Sequence, residues 1–79
     1  MTIQVLFFGA TASAVGERRL KIALPNESTS KKAFDQIKDK FPKLSSHKLL
    51  YSLNQNYATG EEIIHDGDEL AIFTAVSGG

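Results

Sequence analysis

Two glycines end the chain and place its most reactive group at the terminus. Ser77 is followed by Gly78 and Gly79, and residues without a Cβ adopt backbone conformations closed to other residues and present a small cross-section to a narrow cleft. A carboxylate reacts only after activation, so we expect the Gly79 carboxylate to be adenylated by a separate ATP-using enzyme and its acyl group passed to sulfur or to an amine. The alternative is a frayed, glycine-rich terminus without function, and the rest of the chain must decide between the two.

The other side chains offer no competing reactive site. The sequence has no cysteine, which excludes disulfides, thiolate metal sites and a thiol nucleophile. His47 and His65 lack a second ligand at metal spacing, and the Asp-Gly-Asp run at 66–68 is typical of a tight turn. Thr11 and Ser13 have no nearby His or paired acid to activate them, and their segment lacks the lysine of a phosphate loop. Any sulfur chemistry must therefore use the terminus.

Length and composition limit the chain to one small globular domain. Its 79 residues form a core only just large enough for independent folding and leave no room for an enzyme with a deep cleft. No apolar run approaches the roughly 20 residues that a membrane-spanning helix needs, and residues 1–4 lack the basic residues of a secretion signal. We expect a cytoplasmic protein that does not interact with a membrane.

Positive and negative charges balance overall but are separated along the sequence. Lys48 is the last basic residue, and five acids follow it: Glu61, Glu62, Asp66, Asp68 and Glu69. We expect this acidic stretch to lie beside the tail and to steer a partner of opposite charge onto it. Because Asp35 and Asp39 interrupt the lysines of the predicted helix, a solvated helix face is favoured over a nucleic-acid surface, and we expect no nucleic-acid partner.

Hydrophobic periodicity predicts an α+β domain in the order β-β-α-β-(β)-β. Residues 9–16 form a turn-like segment whose alanines permit a short helical turn, and Thr29 or Ser30 offers an N-cap to the helix. The predicted elements are strand 2–8, strand 20–24, helix 31–41, strand 49–53, a two-residue strand 57–58 and strand 69–74. One helix on one face of a mixed sheet, with hydrophobic first and last strands, indicates a β-grasp, ubiquitin-like domain. We assign residues 1–74 to this domain and 75–79 to a flexible C-terminal tail.

Four short blocks of sequence are distinctive when they are taken together and in order. They are VLFF at 5–8, LNQ at 53–55, DGDELAIF at 66–73 and VSGG at 76–79. Together they span the whole chain and resemble the MoaD family, the small sulfur-carrier subunit of molybdopterin synthase.

The resemblance implies a complete reaction sequence for the Gly79 carboxylate. An activating enzyme of the MoeB type would use ATP to adenylate it, and a sulfur-donating enzyme would convert it to a thiocarboxylate. A large subunit of the MoaE type would take the tail into its own active site, in a heterotetramer of two small and two large subunits, and the sulfur would pass to cyclic pyranopterin monophosphate. The catalytic side chains would belong to that partner, and this chain would bind no cofactor.

The predicted docking surface is an apolar patch on the sheet face that the helix leaves open. Phe8 and Phe73 fall on the strand face opposite the predicted core, and exposed apolar patches mark protein interfaces. In the resembling family this face docks the large subunit, and the six residues from 74 to 79 extend up to roughly 20 Å. Alternatively, the aromatic residues close a second small core under the loops. The predicted partner-binding residues are Leu6, Phe8, Tyr57, Phe73, Val76 and Ser77, with Gly78 for threading and Gly79 as the reacting residue.

One departure from the family pattern leaves other functions open. Members often carry prolines between the last strand and the glycines, whereas this chain has Thr74 and Ala75. The thiamin sulfur carrier ThiS and the ubiquitin-like protein modifiers share the glycine end and the adenylation step, so both remain alternatives. A third is an interaction module with an unmodified tail, which would keep its function without Gly79.

Overall fold

The fold is a five-stranded mixed sheet with one main helix across one face. The computed structural model describes residues 1–75, and everything below refers to that part of the chain. The strands are β1 (Thr2–Phe7), β2 (Arg19–Ala23), β3 (Leu49–Leu53), β4 (Asn56–Tyr57) and β5 (Glu69–Thr74). The helices are α1 (Ala10–Val15), α2 (Ser30–Lys40) and a 3₁₀ helix (Pro42–Ser46).

The first and last strands lie side by side within the sheet. The strand order is β2-β1-β5-β3-β4, in which β1 and β5 are parallel and every other neighbouring pair is antiparallel. A parallel pair needs a long crossover connection, which the chain from β2 through α2 and β3 provides. The predicted order of strands and helix is therefore found, and β5, from which the tail continues, has a partner strand on each side.

Strict alternation in the strands builds the core between the sheet and α2. Val5 and Phe7 of β1 are buried opposite Leu70 and Ile72 of β5, with which they are in register. Ile37 of α2 is fully buried against this layer. Side chains of a strand alternate between faces, so these residues face α2 and the residues between them occupy the other face.

Local signals fix the ends of α2 where the sequence predicts them. The Thr29 hydroxyl accepts a hydrogen bond from the Lys32 amide at 3.2 Å, which satisfies one of the free amides of the first turn. Phe41 follows the last helical residue, and Pro42 begins the 3₁₀ helix. The observed range differs from the predicted one by one residue at each end.

Two segments differ from the prediction for reasons of backbone conformation. The stretch from 9 to 16 contains the short helix α1, because Gly9 (φ 58°) turns the chain after β1 and Gly16 (φ 87°) closes the helix with a hydrogen bond from its amide to the Ala12 carbonyl. Strand β4 begins at Asn56 instead of 57, because Asn54 and Gln55 both take positive φ and form a two-residue hairpin turn.

Residues 76–79 of the predicted tail lie outside the described part of the chain. Ala75, which the sequence assigned to the tail, donates its amide hydrogen to the Lys48 carbonyl at 3.0 Å. Among residues 1–75, no helix has the length and apolarity that a membrane crossing demands.

Candidate functional site

The sheet face turned away from α2 carries a continuous exposed apolar surface. We call this surface the open-face stripe; its members are Leu6, Phe8, Leu50, Tyr57 and Phe73. The Phe8, Leu50 and Tyr57 side chains are 52%, 40% and 77% exposed, and Leu6 and Phe73 are half-buried. An apolar surface of this kind on a small protein marks a site of interaction.

Strand pairing brings the members of the stripe together from distant parts of the sequence. Leu50 of β3 is directly opposite Phe73 of β5 in the antiparallel register. The rings of Tyr57 and Phe73 lie 6.0 Å apart between centroids, which is within the range of favourable aromatic contacts. The structure therefore places Leu6, Phe8, Tyr57 and Phe73 on one face, and their exposure favours a docking surface over a second closed core.

Leu50 is a member of the stripe that the sequence analysis did not identify. It lies in a strand in which apolar residues occupy both faces, so composition alone does not show which residues point outward. Leu49 and Tyr51 pack against the core, and alternation then turns Leu50 to the open face. Period-2 alternation, anchored on the predicted core face, was the signal that could have found it.

Phe8 is held by a buried hydroxyl on α1. The Thr11 side chain is fully buried. The one hydrogen of its Oγ1 is shared between the carbonyl oxygens of Phe8 (2.7 Å) and Ile72 (2.9 Å), and the oxygen accepts from the Phe8 amide (3.0 Å). The same hydroxyl thus connects the end of β1 to β5. Thr11 carries no reactive hydroxyl in this setting, because its oxygen is engaged in the protein interior.

The tail begins beside the open-face stripe. Thr74 is paired with Leu49, and the Ala75–Lys48 hydrogen bond adds one more step to the β3–β5 ladder. Phe73 lies immediately before this pair. The predicted tail residues Val76, Ser77, Gly78 and Gly79 lie outside the described residues, so their assigned roles stay predictions.

The acidic stretch was predicted to lie beside the tail. This prediction is wrong for Asp66, Asp68 and Glu69, which lie at the start of β5. Asp66 accepts a hydrogen bond from the Thr2 amide at 2.7 Å, Asp68 accepts one from the His65 amide at 2.8 Å, and Glu69 begins β5. The tail leaves the other end of that strand. Because a six-residue strand extends about 17 Å, residues close to the tail in sequence lie at the opposite end of the sheet.

Glu62, another acid of this stretch, has a structural role. Its carboxylate accepts hydrogen bonds from the Ser30 hydroxyl at 2.6 Å, the Thr59 amide at 2.8 Å and the Gly60 amide at 3.0 Å. The hydrogen bond from Ser30 and that from the Thr59 amide lower the pKa of Glu62 to about 2. The charged carboxylate ties the loop before β5 to the start of α2.

The described residues provide no arrangement typical of a metal site. Within residues 1–75, no three side chains of His, Cys, Asp or Glu converge on one point. His65 is 80% exposed, with its Nδ1 3.9 Å from Asp68, and His47 lies at the end of the 3₁₀ helix.

Comparison with known proteins places these features among sulfur carriers and small modifiers. A family model described as the ThiS family matches residues 5–79. A protein named molybdopterin synthase sulfur carrier subunit from Arabidopsis thaliana is 35% identical over 79 residues, which cover 98% of this chain and 82% of that relative.

Solved structures with the same fold include one modifier and one subunit of a complex. SAMP1, a small archaeal modifier protein from Haloferax volcanii, superposes with a TM-score of 0.87 at 26% identity over 100% of both chains. A chain from the complex of subunits 1 and 2 of the molybdopterin-converting factor from Helicobacter pylori gives a TM-score of 0.71 at 23% identity over 100% of both chains. The predicted β-grasp, ubiquitin-like fold is confirmed.

Proposed function

The chain belongs to the ThiS family, and we propose that it acts as the sulfur-carrier subunit of a molybdopterin synthase. The resemblance to the MoaD carriers in the four sequence blocks is confirmed by the match over residues 5–79 and by the plant relative. The observation that carries the proposal is that relative, which bears the name of a molybdopterin synthase sulfur carrier and aligns over nearly the full length.

The proposed chemistry uses the terminal carboxylate and no side chain of this protein. A carboxylate oxygen of Gly79 attacks the α-phosphate of ATP on the activating enzyme, releasing pyrophosphate and leaving an acyl-adenylate. Hydrosulfide supplied by the donating enzyme then attacks the acyl carbon: the C–S bond forms as the C–O bond to AMP breaks, AMP leaves, and loss of the sulfur's proton gives the Gly79 thiocarboxylate. The absence of cysteine in the chain supports this route, because no internal thiol competes for the activated acyl group.

The open-face stripe would dock the large subunit. It combines exposed apolar side chains with a position next to Ala75, where the chain turns from β5 into the tail. Burying Phe8 and Leu50 on a partner contributes favourable free energy in proportion to the apolar area removed from water. With the domain docked there, Gly78 and Gly79 enter the partner, which supplies the catalytic side chains and holds cyclic pyranopterin monophosphate.

Protein modification is the second candidate, and the similarity to SAMP1 favours it. That modifier is similar in fold over its whole length and 26% identical. A modifier shares the adenylation step, but its terminal acyl group ends as an isopeptide on the lysine of another protein. The two functions therefore differ in the final acceptor, sulfur against amine, and the acceptor is what an experiment must identify.

A single-turnover synthesis tests the proposal. The chain is purified and thiocarboxylated, its intact mass is checked, and it is mixed with the candidate large subunit and cyclic pyranopterin monophosphate. We expect molybdopterin in an amount limited by the thiocarboxylate, no product from a chain without Gly79, and normal product from Lys32→Ala, an exposed residue of α2 that leaves the tail unchanged. If a confirmed thiocarboxylate and an active large subunit give no product, the molybdopterin assignment is wrong.

The same preparation distinguishes the alternatives. Incubating the chain with ATP, the activating enzyme and cell proteins, followed by mass spectrometry of lysine-linked Gly-Gly remnants, detects isopeptides. Conjugates without molybdopterin would assign the chain to protein modification. Sulfur delivered to a thiamin thiazole precursor instead would assign it to the ThiS function.

A further inference from the structure

The end of the sheet from which the tail leaves is surrounded by basic side chains. We call this group the tail-end collar; its members are Arg18, Arg19, Lys43 and Lys48. Their backbone contacts place three of them at this end of the sheet. The Arg18 carbonyl oxygen accepts a hydrogen bond from the Phe7 amide at 2.8 Å, Arg19 is paired with Leu6, and the Lys48 carbonyl oxygen accepts from the Ala75 amide.

Lys43 belongs to the collar through the 3₁₀ helix. It lines a shallow groove together with Ala10 and Ser13 of α1, the helix that follows directly after β1. Because β1 and β5 are parallel and in register at Phe7 and Ile72, the start of α1 lies at the same end of the sheet as the start of the tail. All four collar residues are exposed.

The collar cations have no ion-pair partner among residues 1–75. The salt bridges of that part of the chain join Asp35 to Lys31 and Lys38, and His65 to Asp68. The acids that balance the collar in the overall charge of zero include Asp66, Asp68 and Glu69 at the far end of β5. The four collar cations and these three acids therefore lie at opposite ends of β5, with the cations at the root of the tail.

The collar is continuous with the open-face stripe. Arg18 and Arg19 line a groove whose other walls include Leu6, Phe8 and Ala12. The groove combines apolar residues with the two arginines and Glu17, and two of its apolar residues, Leu6 and Phe8, are members of the stripe. A partner that covers the stripe and takes up the tail must therefore also meet the collar.

We infer that the collar docks onto an acidic rim around the mouth of the large subunit's tail-binding channel. This inference rests on the proposed function and adds the charge that the partner must present. Charges of opposite sign at a rim act mainly on the rate of association, and such steering raises on-rates by about 10-fold to 1,000-fold. The polarity of the molecule also orients it, so that the tail approaches the partner first.

A protein partner fits the collar better than a nucleic acid. Glu17 lies in the same groove as Arg18 and Arg19, and the carboxylates at the opposite end leave the molecule without net charge. Nucleic-acid surfaces gain their affinity from many lysine and arginine contacts to phosphates. The collar has only four cations, and Glu17 lies next to two of them, so it can make few such contacts.

Association kinetics with the purified large subunit test the inference. Stopped-flow measurements compare the wild type with Arg18→Glu/Lys48→Glu at about 20 mM and about 500 mM salt, where the screening length falls from roughly 20 Å to roughly 4 Å. The matched control is Lys31→Glu/Lys32→Glu, which makes the same change of charge at the start of α2. The chain enters α2 from the end of β2, where the Leu24 amide bonds to the Met1 carbonyl, so this pair lies towards the end of the sheet opposite the tail.

We expect the collar variant to associate about tenfold more slowly than the control at low salt and at nearly the same rate at high salt. The control variant should give the same yield as the wild type in single-turnover synthesis, because its charge changes lie away from the tail and the collar.

Equal association rates of the two variants at low salt, or a faster rate for the collar variant, would overturn the inference while leaving the proposed function intact. A wild-type chain that does not bind the large subunit would overturn both. A labelled uridine oligomer of about 15 nucleotides that bound the wild type but not the collar variant would assign the collar to nucleic acid instead.

Discussion

Replacing Thr11 with valine tests whether one hydroxyl connects the open-face stripe to the strand that carries the tail. The substitution keeps the shape of the buried side chain and removes an oxygen that donates to the carbonyls of Phe8 and Ile72 and accepts from the Phe8 amide. Neither carbonyl is left without a partner, because Phe8 O still accepts from the Thr11 amide at 3.2 Å and Ile72 O from the Phe8 amide at 3.1 Å.

The expected cost follows from that count. Hydrogen bonds of this kind contribute a net 0.5–1.5 kcal/mol each, and orphaned buried groups would add about 1–3 kcal/mol. One hydroxyl with bonds to three atoms and no orphan left behind gives about 2 kcal/mol of lost unfolding free energy. For a domain of this length, that loss lowers Tm by about 8–16 °C.

Urea denaturation followed by circular dichroism measures the loss, and Thr11→Ser is the matched control. Serine keeps the hydroxyl and removes one buried methyl group, which costs about 1 kcal/mol. We expect valine to be the more damaging substitution. Two results would refute the reasoning: a serine variant as unstable as the valine variant, or a valine variant whose unfolding free energy is within about 0.5 kcal/mol of wild type, the lower limit for one hydrogen bond. Either would show that packing, and not the hydroxyl, holds α1 against β1 and β5.

Three further substitutions test the site and its support. Glu62→Gln should flatten the acid side of the plot of unfolding free energy against pH. The pKa of Glu62 in the folded protein, about 2, lies below the reference value of 4.5, so the stabilisation by this carboxylate is complete above pH 4.5 and is lost as pH falls towards 2. Urea midpoints measured across this range will show the difference. Leu50→Ser should weaken binding of the large subunit by about tenfold with little loss of stability. The Ile63→Ser variant, in which the replaced residue is somewhat more exposed (49% against 40%) but lies on the loop before β5, should bind normally by titration calorimetry. Gly60→Ala should lower Tm by several degrees in a thermal melt, because the new Cβ would lie 3.1 Å from the Tyr51 hydroxyl at a φ of +104°; an unchanged Tm would show that the loop moves without cost.

The main elements could be predicted because each is encoded by a local pattern. The alternation of Ile3, Val5 and Phe7 gives β1 and its buried face, and the helical spacing of Ala33 and Ile37 with Thr29 as N-cap gives α2. These signals depend only on neighbouring residues, so a single amino-acid sequence is sufficient to predict the bounds of the elements to within one or two residues.

Features that depend on register or on distance along a strand could not be predicted in the same way. Alternation along β3 could assign Leu50 to the open face, but its place opposite Phe73 follows from the register of β3 with β5, and no local pattern sets that register. Asp68 is close to the tail in sequence but a full strand length away from it in space. The hydrogen bonds of Thr11 join α1 to the end of β1 and to β5, and no local sequence pattern indicates these partners.

The position of β5 fixes where the tail begins, which the proposed delivery of the terminal carboxylate requires. Because β5 lies between β1 and β3, its last residues are held from both sides: Ile72 accepts the Phe8 amide on one edge, and Ala75 donates to Lys48 on the other. An edge strand would have one of these constraints and would swing more freely. The root of the tail is therefore fixed relative to the open-face stripe and the tail-end collar, so a partner that binds those surfaces also determines where the tail begins. Under the proposed function, the reach of Gly79 depends on the number of residues after Ala75 and on the docking geometry, and the large subunit supplies the catalytic side chains.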